Sequence, residues 1–169
     1  MTAIKAILGL LIVVVIGIVG FAYSGLYNVA ADEPHFGVTR WLLNTTMARS
    51  IAVRDDDIVA PDNLESSARI DRGAQMYARI CAGCHLGPGV DPTAIHVGMK
   101  PQPPRLKEHI EHHAPASLFW IIKHGIKMSG MPALGLSFDD DQLWDIVAFL
   151  QTLPELDAQQ YRQQTVGAE

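Results

Sequence analysis

Two thiols one helical turn apart, followed at once by an imidazole, make up Cys81-Ala82-Gly83-Cys84-His85. Cys-x-x-Cys-His is the attachment signature of a c-type haem. The thiols add across the two vinyl groups of a porphyrin, and the histidine is then placed to ligate the iron from the proximal side. Other chemistries share part of the pattern. A zinc site wants a second ligand pair, yet Cys81 and Cys84 are the chain's only cysteines. A thioredoxin-like redox pair sits among alternating strands and helices, a pattern this sequence lacks. A structural disulfide is the third alternative.

The elements that must position this motif read as helices. Ser66 or Ser67 can cap a helix running to about Ile80, with Ile70, Gly73, Ala74 and Tyr77 on one face and Cys81 continuing it. A second helix is expected from Pro115 to Lys123, because proline is welcome in a first turn and Leu118, Ile121 and Ile122 form an apolar stripe. It stops near Gly125. Ser137 followed by Asp140 resembles a capping box for a last helix, whose inward stripe is Leu143, Ile146, Val147, Leu150 and Leu153 before Pro154. Between the first two helices, residues 86–114 hold many prolines and glycines, and a flat cofactor for this loop to wrap would explain its length.

With 169 residues the chain has room for one domain of about 100 residues plus extras. Ala6 to Tyr23 carries no charge over 18 residues. At 1.5 Å per residue such a helix reaches about 27 Å, close to the ~30 Å hydrocarbon thickness of a bilayer. A retained anchor through residues 6–23 is favoured over a cleaved leader. Leader apolar regions are shorter, and the conceivable cleavage site at Val29-Ala30-Ala31 lies well past the end of the run. Lys5 ahead of the span puts the N-terminus in the cytoplasm and the remainder on the oxidising, periplasmic face of an inner membrane. Residues 1–31 then form the anchor and its exit, 32–63 a helix and linker, and 64–169 the haem domain with a C-terminal tail. Within 34–54, Trp41, Leu42, Met47, Ala48, Ile51 and Ala52 recur at helical spacing. That helix is expected to pack on the domain, lie on the membrane or contact a partner subunit.

Gly73-x-x-x-Tyr77 before the haem motif, Pro104-Arg105-Leu106, Gly130-Met131-Pro132-Ala133 and the closing Leu143-Trp144-Asp145-Ile146-Val147-Ala148-Phe149-Leu150 complete a set. From about Leu64 to Leu153 the chain resembles a membrane-anchored, class I-like monohaem cytochrome c. The fold this implies is all-α, a cytochrome c-like haem domain behind a single N-terminal transmembrane helix. The resemblance further implies that the first and last helices cross closely, with Gly73 and Tyr77 against Ile146, Phe149 and Leu150. It implies one covalent haem c bound by Cys81, Cys84, His85, Pro104, Leu106 and Met131, with His85 and Met131 on the iron. The Pro104 carbonyl would accept the other ring N–H of His85, Leu106 would pack on the haem, and Trp120, Ile121 and Ile126 would help to dry the pocket. Met128 and Met99 are chemically equivalent alternatives to Met131.

A formal charge of −5 lacks the basic footprint of a nucleic-acid binder. Residues 86–136 nevertheless carry Lys100, Arg105, Lys107, Lys123 and Lys127 against Asp91, Glu108 and Glu111, a local +2 that suits an acidic redox partner. His109, His112 and His113 share a face at metal-ligand spacing, though a solvated cluster is the plainer reading. The expected function is one-electron relay in a bacterial respiratory chain, non-enzymatic, with donor and acceptor proteins as partners. The alternatives are a cytochrome subunit of a periplasmic dehydrogenase or oxidase complex, or a gas sensor or peroxidase-like protein with an open iron site.

Overall fold

The computed structural model describes residues 2–165, apart from the His112 side chain. The end of the tail, 166–169, lies outside the described residues. All described secondary structure is helical. The chain divides into two compact units, Met1–Glu33 and Pro34–Glu169. The first holds α1, Thr2–Tyr23, an unbroken apolar helix with exposed side chains, long enough to cross a bilayer.

The second unit is built on α3 (Ser67–Met76) and α8 (Asp140–Thr152), which pack closely. The approach depends on Gly73. A Cβ added there would stand 1.9 Å from the Asp145 carbonyl oxygen and 2.9 Å from the Phe149 Cβ. Around this crossing Tyr77, Leu143, Ile146, Val147, Phe149 and Leu153 are wholly buried. The stripe expected for the last helix is therefore its inward face. Its cap differs from expectation. Asp139, not Ser137, accepts the Gln142 N–H at 2.9 Å, while Gln142 returns a bond to the Asp139 N–H at 3.0 Å. Ser137 instead ends the short turn Leu134–Leu136 and bonds back to Leu134. Likewise Ser66 holds the N-cap position of α3 without a side-chain bond.

Asp145, a charge inside an apolar stripe, is buried with Arg69 at 2.8 Å and also meets Arg72 at 2.6 Å. Arg69 reaches on to Asp141 at 2.8 Å, whose side chain is 81% exposed. Exposure decides the consequence of removing each acid. Asp145→Ala takes the only buried carboxylate from Arg69, leaving it Asn63 and the solvent-exposed Asp141, and should cost about 3 kcal/mol. Asp141→Ala should cost under about 1 kcal/mol. Denaturant midpoints of the two variants check this, and equal midpoints would refute it.

Pro115–His124 forms α7, stopped by Gly125 at φ +64°, and Phe119 stacks on Trp144 of α8 with ring centroids 4.3 Å apart. Gly37–Ala52 forms α2, which contacts α7, and of the expected stripe only Ile51 is half-buried. Leu43, Ser50 and Ile51 are half-buried, whereas Trp41, Leu42, Met47, Ala48 and Ala52 are exposed. Ile58 and Ala60 of the stretch read as linker pack on the core. Within the residues read as a tail lies a helix not assigned from sequence, α9 (Ala158–Thr165). Its Tyr161 is buried against Tyr77 and Phe149, with ring centroids 6.3 and 6.4 Å away.

Candidate haem site

The Cys-x-x-Cys-His motif is delivered by α3 through one widened helical turn, Tyr77–Cys81, into the short α4, Ala82–His85. Tyr77 fastens the far side of the motif. Its hydroxyl, wholly buried, donates to the Leu86 carbonyl at 2.5 Å. Leu86 sits at φ +61°, a left-handed conformation that a branched side chain rarely adopts, and only 1% of it is exposed. Burial of Leu86 and the Tyr77 bond hold the chain in this sharp reversal directly after His85.

Burial pushes the Cys81 thiol up to about 12. It stays protonated at neutral pH, unlike the lowered thiolate of a redox-active Cys-x-x-Cys. His85 is moved the other way. Desolvation by burial lowers its pKa, with the Pro104 carbonyl opposing and His96 assisting. That shift favours the neutral ring, the form that ligates metal. Its Nδ1 lies 2.9 Å from the Pro104 carbonyl oxygen, which leaves Nε2 as the ligating nitrogen.

The loop after α7 carries two of the three candidate methionines. Met131 is half-buried and packs on the core. Its N–H donates to Ser129 Oγ at 3.1 Å, and its carbonyl accepts the Ile126 N–H at 3.2 Å. Gly125 is required here, because a Cβ would stand 2.6 Å from the Met131 carbonyl oxygen. Met128 is 77% exposed at φ +62°. Gly130 lies against the Met99 methyl, 1.7 Å from where a Cβ would stand, an approach that the flexible end of Met99 can relieve. Met99 thus comes from the wrapping loop to the backbone just before Met131. Leu106 begins α6 (Leu106–His109) and packs on the core partly buried, while Trp120, Ile121 and Ile126 are half-buried.

Two residues near the motif were missed in the sequence. Thr93 and His96, on α5 (Ala94–Gly98) and its cap, bond to the carbonyls of Gly83 and Cys84. The only local signal is that Thr93 can cap a short helix. In the histidine cluster, His109 Nδ1 meets the Arg105 carbonyl at 3.0 Å and His113 is exposed. His112 has no described side chain, and no metal-binding group of three or more candidate side chains assembles among the described residues.

The donor set fits a covalently held haem, with two thiols unpaired as cysteines, an imidazole fixed at Nδ1, and the Met131 thioether in a loop packed on the core. Residues 68–150 match the family model described as cytochrome c oxidase, cbb3-type, subunit III. Comparison with the curated proteins and with the solved structures gave no match. The family implies covalent haem c and electron transfer. Residues 68–150 are thus a cytochrome c domain of the cbb3-type subunit III family, in a chain whose described residues are all-helical and include a long apolar N-terminal helix.

Proposed function

We propose that the chain is a membrane-anchored monohaem cytochrome c that relays single electrons on the periplasmic face of a bacterial inner membrane. Its haem would be held by Cys81, Cys84 and His85, with Met131 as the second axial ligand and Pro104 and Leu106 beside it. The observation that carries the reading is His85 Nδ1 at 2.9 Å from the Pro104 carbonyl, since a histidine ligand fixed in this way presents Nε2 in one orientation. Met131 is supported by its half-burial and doubly bonded backbone, Met128 disfavoured by its exposure. Bound there, the haem supplies a ferric–ferrous couple, and thioether ligation raises its potential. The chain's own contribution is to orient the imidazole, keep the second ligand loop in place and exclude water with Leu106, Trp120 and Ile121.

The anchor is residues 6–23 within α1, whose length and composition would also suit the leader of an exported chain. A second reading, a cytochrome subunit of a periplasmic oxidase or dehydrogenase complex, is supported by the outward face of α2. Val38 is 72%, Trp41 65% and Leu42 56% exposed there, and the family is named for an oxidase subunit.

Protein from native membranes should keep haem staining after denaturation and remain with the membrane in high salt. Replacing both Cys81 and Cys84 by alanine should abolish the stain. Haem that extracts into acidified organic solvent would overturn the attachment, and a mature N-terminus near Asp32 the anchor. A catalytic chain recovered in stoichiometric amount would select the subunit reading.

A further inference from the structure

The last carbonyls of a helix have no partner within it, and α4 is so short that its end coincides with the ligating histidine. The first of its four carbonyls takes the ordinary helical bond and the next two are satisfied from outside the helix. Ala82 accepts the Leu86 N–H at 3.0 Å. Gly83 accepts the Thr93 hydroxyl at 2.5 Å, and Cys84 meets His96 Nδ1 at 2.8 Å. Thr93 Oγ1 also accepts the His96 N–H at 3.0 Å, and the His96 carbonyl takes a bond from Gln102 at 3.3 Å. His96 is only 4% exposed. A polar ring this deeply buried is retained at a cost unless its bonds are made.

The placement of these two bonds is what gives them consequence. The Cys84 carbonyl belongs to the same rigid peptide plane as the His85 N–H, and the Gly83 carbonyl to the plane that carries the Cys84 N–H. His96 and Thr93 therefore hold two successive planes, those that aim the second thiol and the imidazole. Further along, the same segment supplies the Pro104 carbonyl to the His85 ring. One strap, residues 93–104, fixes the histidine both by its backbone and by its ring.

We propose that His96, assisted by Thr93, is a positioning residue of the haem site, which orients His85 and raises the reduction potential by neutralising the Cys84 carbonyl. This rests on His85 being the axial ligand of a covalent haem. With the Nδ1–H donor lost, the carbonyl's negative end is left unbalanced beside the iron ligand and the ferric state gains.

The test uses the full haem-loaded chain and three variants, His96→Leu, His96→Asn and Thr93→Val. His96→Asn retains a side-chain N–H at similar reach, and Thr93→Val removes only the hydroxyl at nearly constant volume. Reduction potential is read by redox titration, and ligand orientation by the spread of the haem-methyl proton shifts of the ferric form. His96→Leu should lower the potential and change the methyl pattern, His96→Asn should restore both, and Thr93→Val should shift both in the same direction by less. A His96→Leu protein with wild-type potential and methyl pattern overturns the proposal even if it melts earlier, and so does an asparagine variant no better than leucine. If His96→Leu does not acquire haem, Thr93→Val decides alone, and an unchanged potential there refutes the role. A wild-type chain without covalent haem would instead mark the failure of the underlying functional reading.

Discussion

Replacing Met131 by alanine should remove the weak sulfur-to-iron absorption of the ferric protein, open the reduced iron to carbon monoxide and lower the reduction potential. Axial ligands set haem potentials over about 0.8 V, so the expected drop is on the order of tenths of a volt when water, hydroxide or a histidine takes the vacant position. Met128→Ala should leave all three properties near wild type. The two methionines differ by only three positions, and the difference between them is one of burial. Met131 packs on the core with both backbone polar groups bonded, so holding its sulfur in place loses little further freedom. Met128 is largely in solvent. Met99, whose methyl lies against Gly130, is the control for displacement: Met99→Leu should alter the absorption slightly and not abolish it. Carbon monoxide binding by the reduced wild-type protein at neutral pH would sink the carrier assignment in favour of a sensor or peroxidase-like role. Ligand loss from Met128→Ala alone would move the assignment to Met128.

The second large effect belongs to Gly73→Ala. On an isolated helix this change is favourable by roughly 1 kcal/mol, because glycine loses more backbone freedom than alanine. At this crossing the sign should reverse. The atoms in the way are the Asp145 carbonyl and the Phe149 Cβ, parts of α8 that cannot rotate aside. Both helices would have to separate, loosening the packing of Tyr77 on Phe149, whose ring centroids lie 5.3 Å apart, and straining the Arg69–Asp145 pair. Overpacking of this kind costs about 1–3 kcal/mol where side chains can adjust, and more where backbone opposes it. A fall in melting temperature on the order of 10–20 °C is expected for the haem-loaded protein. An alanine variant as stable as wild type would show that α3 and α8 do not cross at this distance.

The same close crossing explains how the fold serves the site. The motif leaves the C-terminal end of α3, so any tilt of α3 against α8 is carried into the widened turn Tyr77–Cys81 and on to His85. Tyr77 is the link, since it packs on Phe149 of α8 and bonds the Leu86 carbonyl just after the histidine. Stability of the core and orientation of the ligand are consequently coupled through one side chain.

Much of this protein is determined by short-range chemistry and is therefore legible in its sequence. The cytochrome c resemblance and the all-helical class rest on Cys81, Cys84 and His85 at fixed spacing and on apolar stripes at helical period. The start of α7 at Pro115 and its stop at Gly125 need only local backbone preferences. The apolar length of α1 is likewise a property of one segment. What tertiary structure alone decided are the relations between distant residues. Asp145 interrupts an apolar stripe, and only its meeting with Arg69, 76 positions away, makes it a core residue. That Met99 of the wrapping loop lies beside Gly130 is likewise invisible in the sequence. Of the helical stripe Trp41, Leu42, Met47, Ala48, Ile51 and Ala52, only Ile51 is half-buried, and Leu43, outside the stripe, joins it. Thr93 and His96 carry no periodic signal at all, because their partners are backbone carbonyls, and a carbonyl has no letter in a sequence. Helical period and ligand spacing are written along the chain, whereas which faces meet, and which carbonyls are left to be satisfied, is settled only when the helices pack.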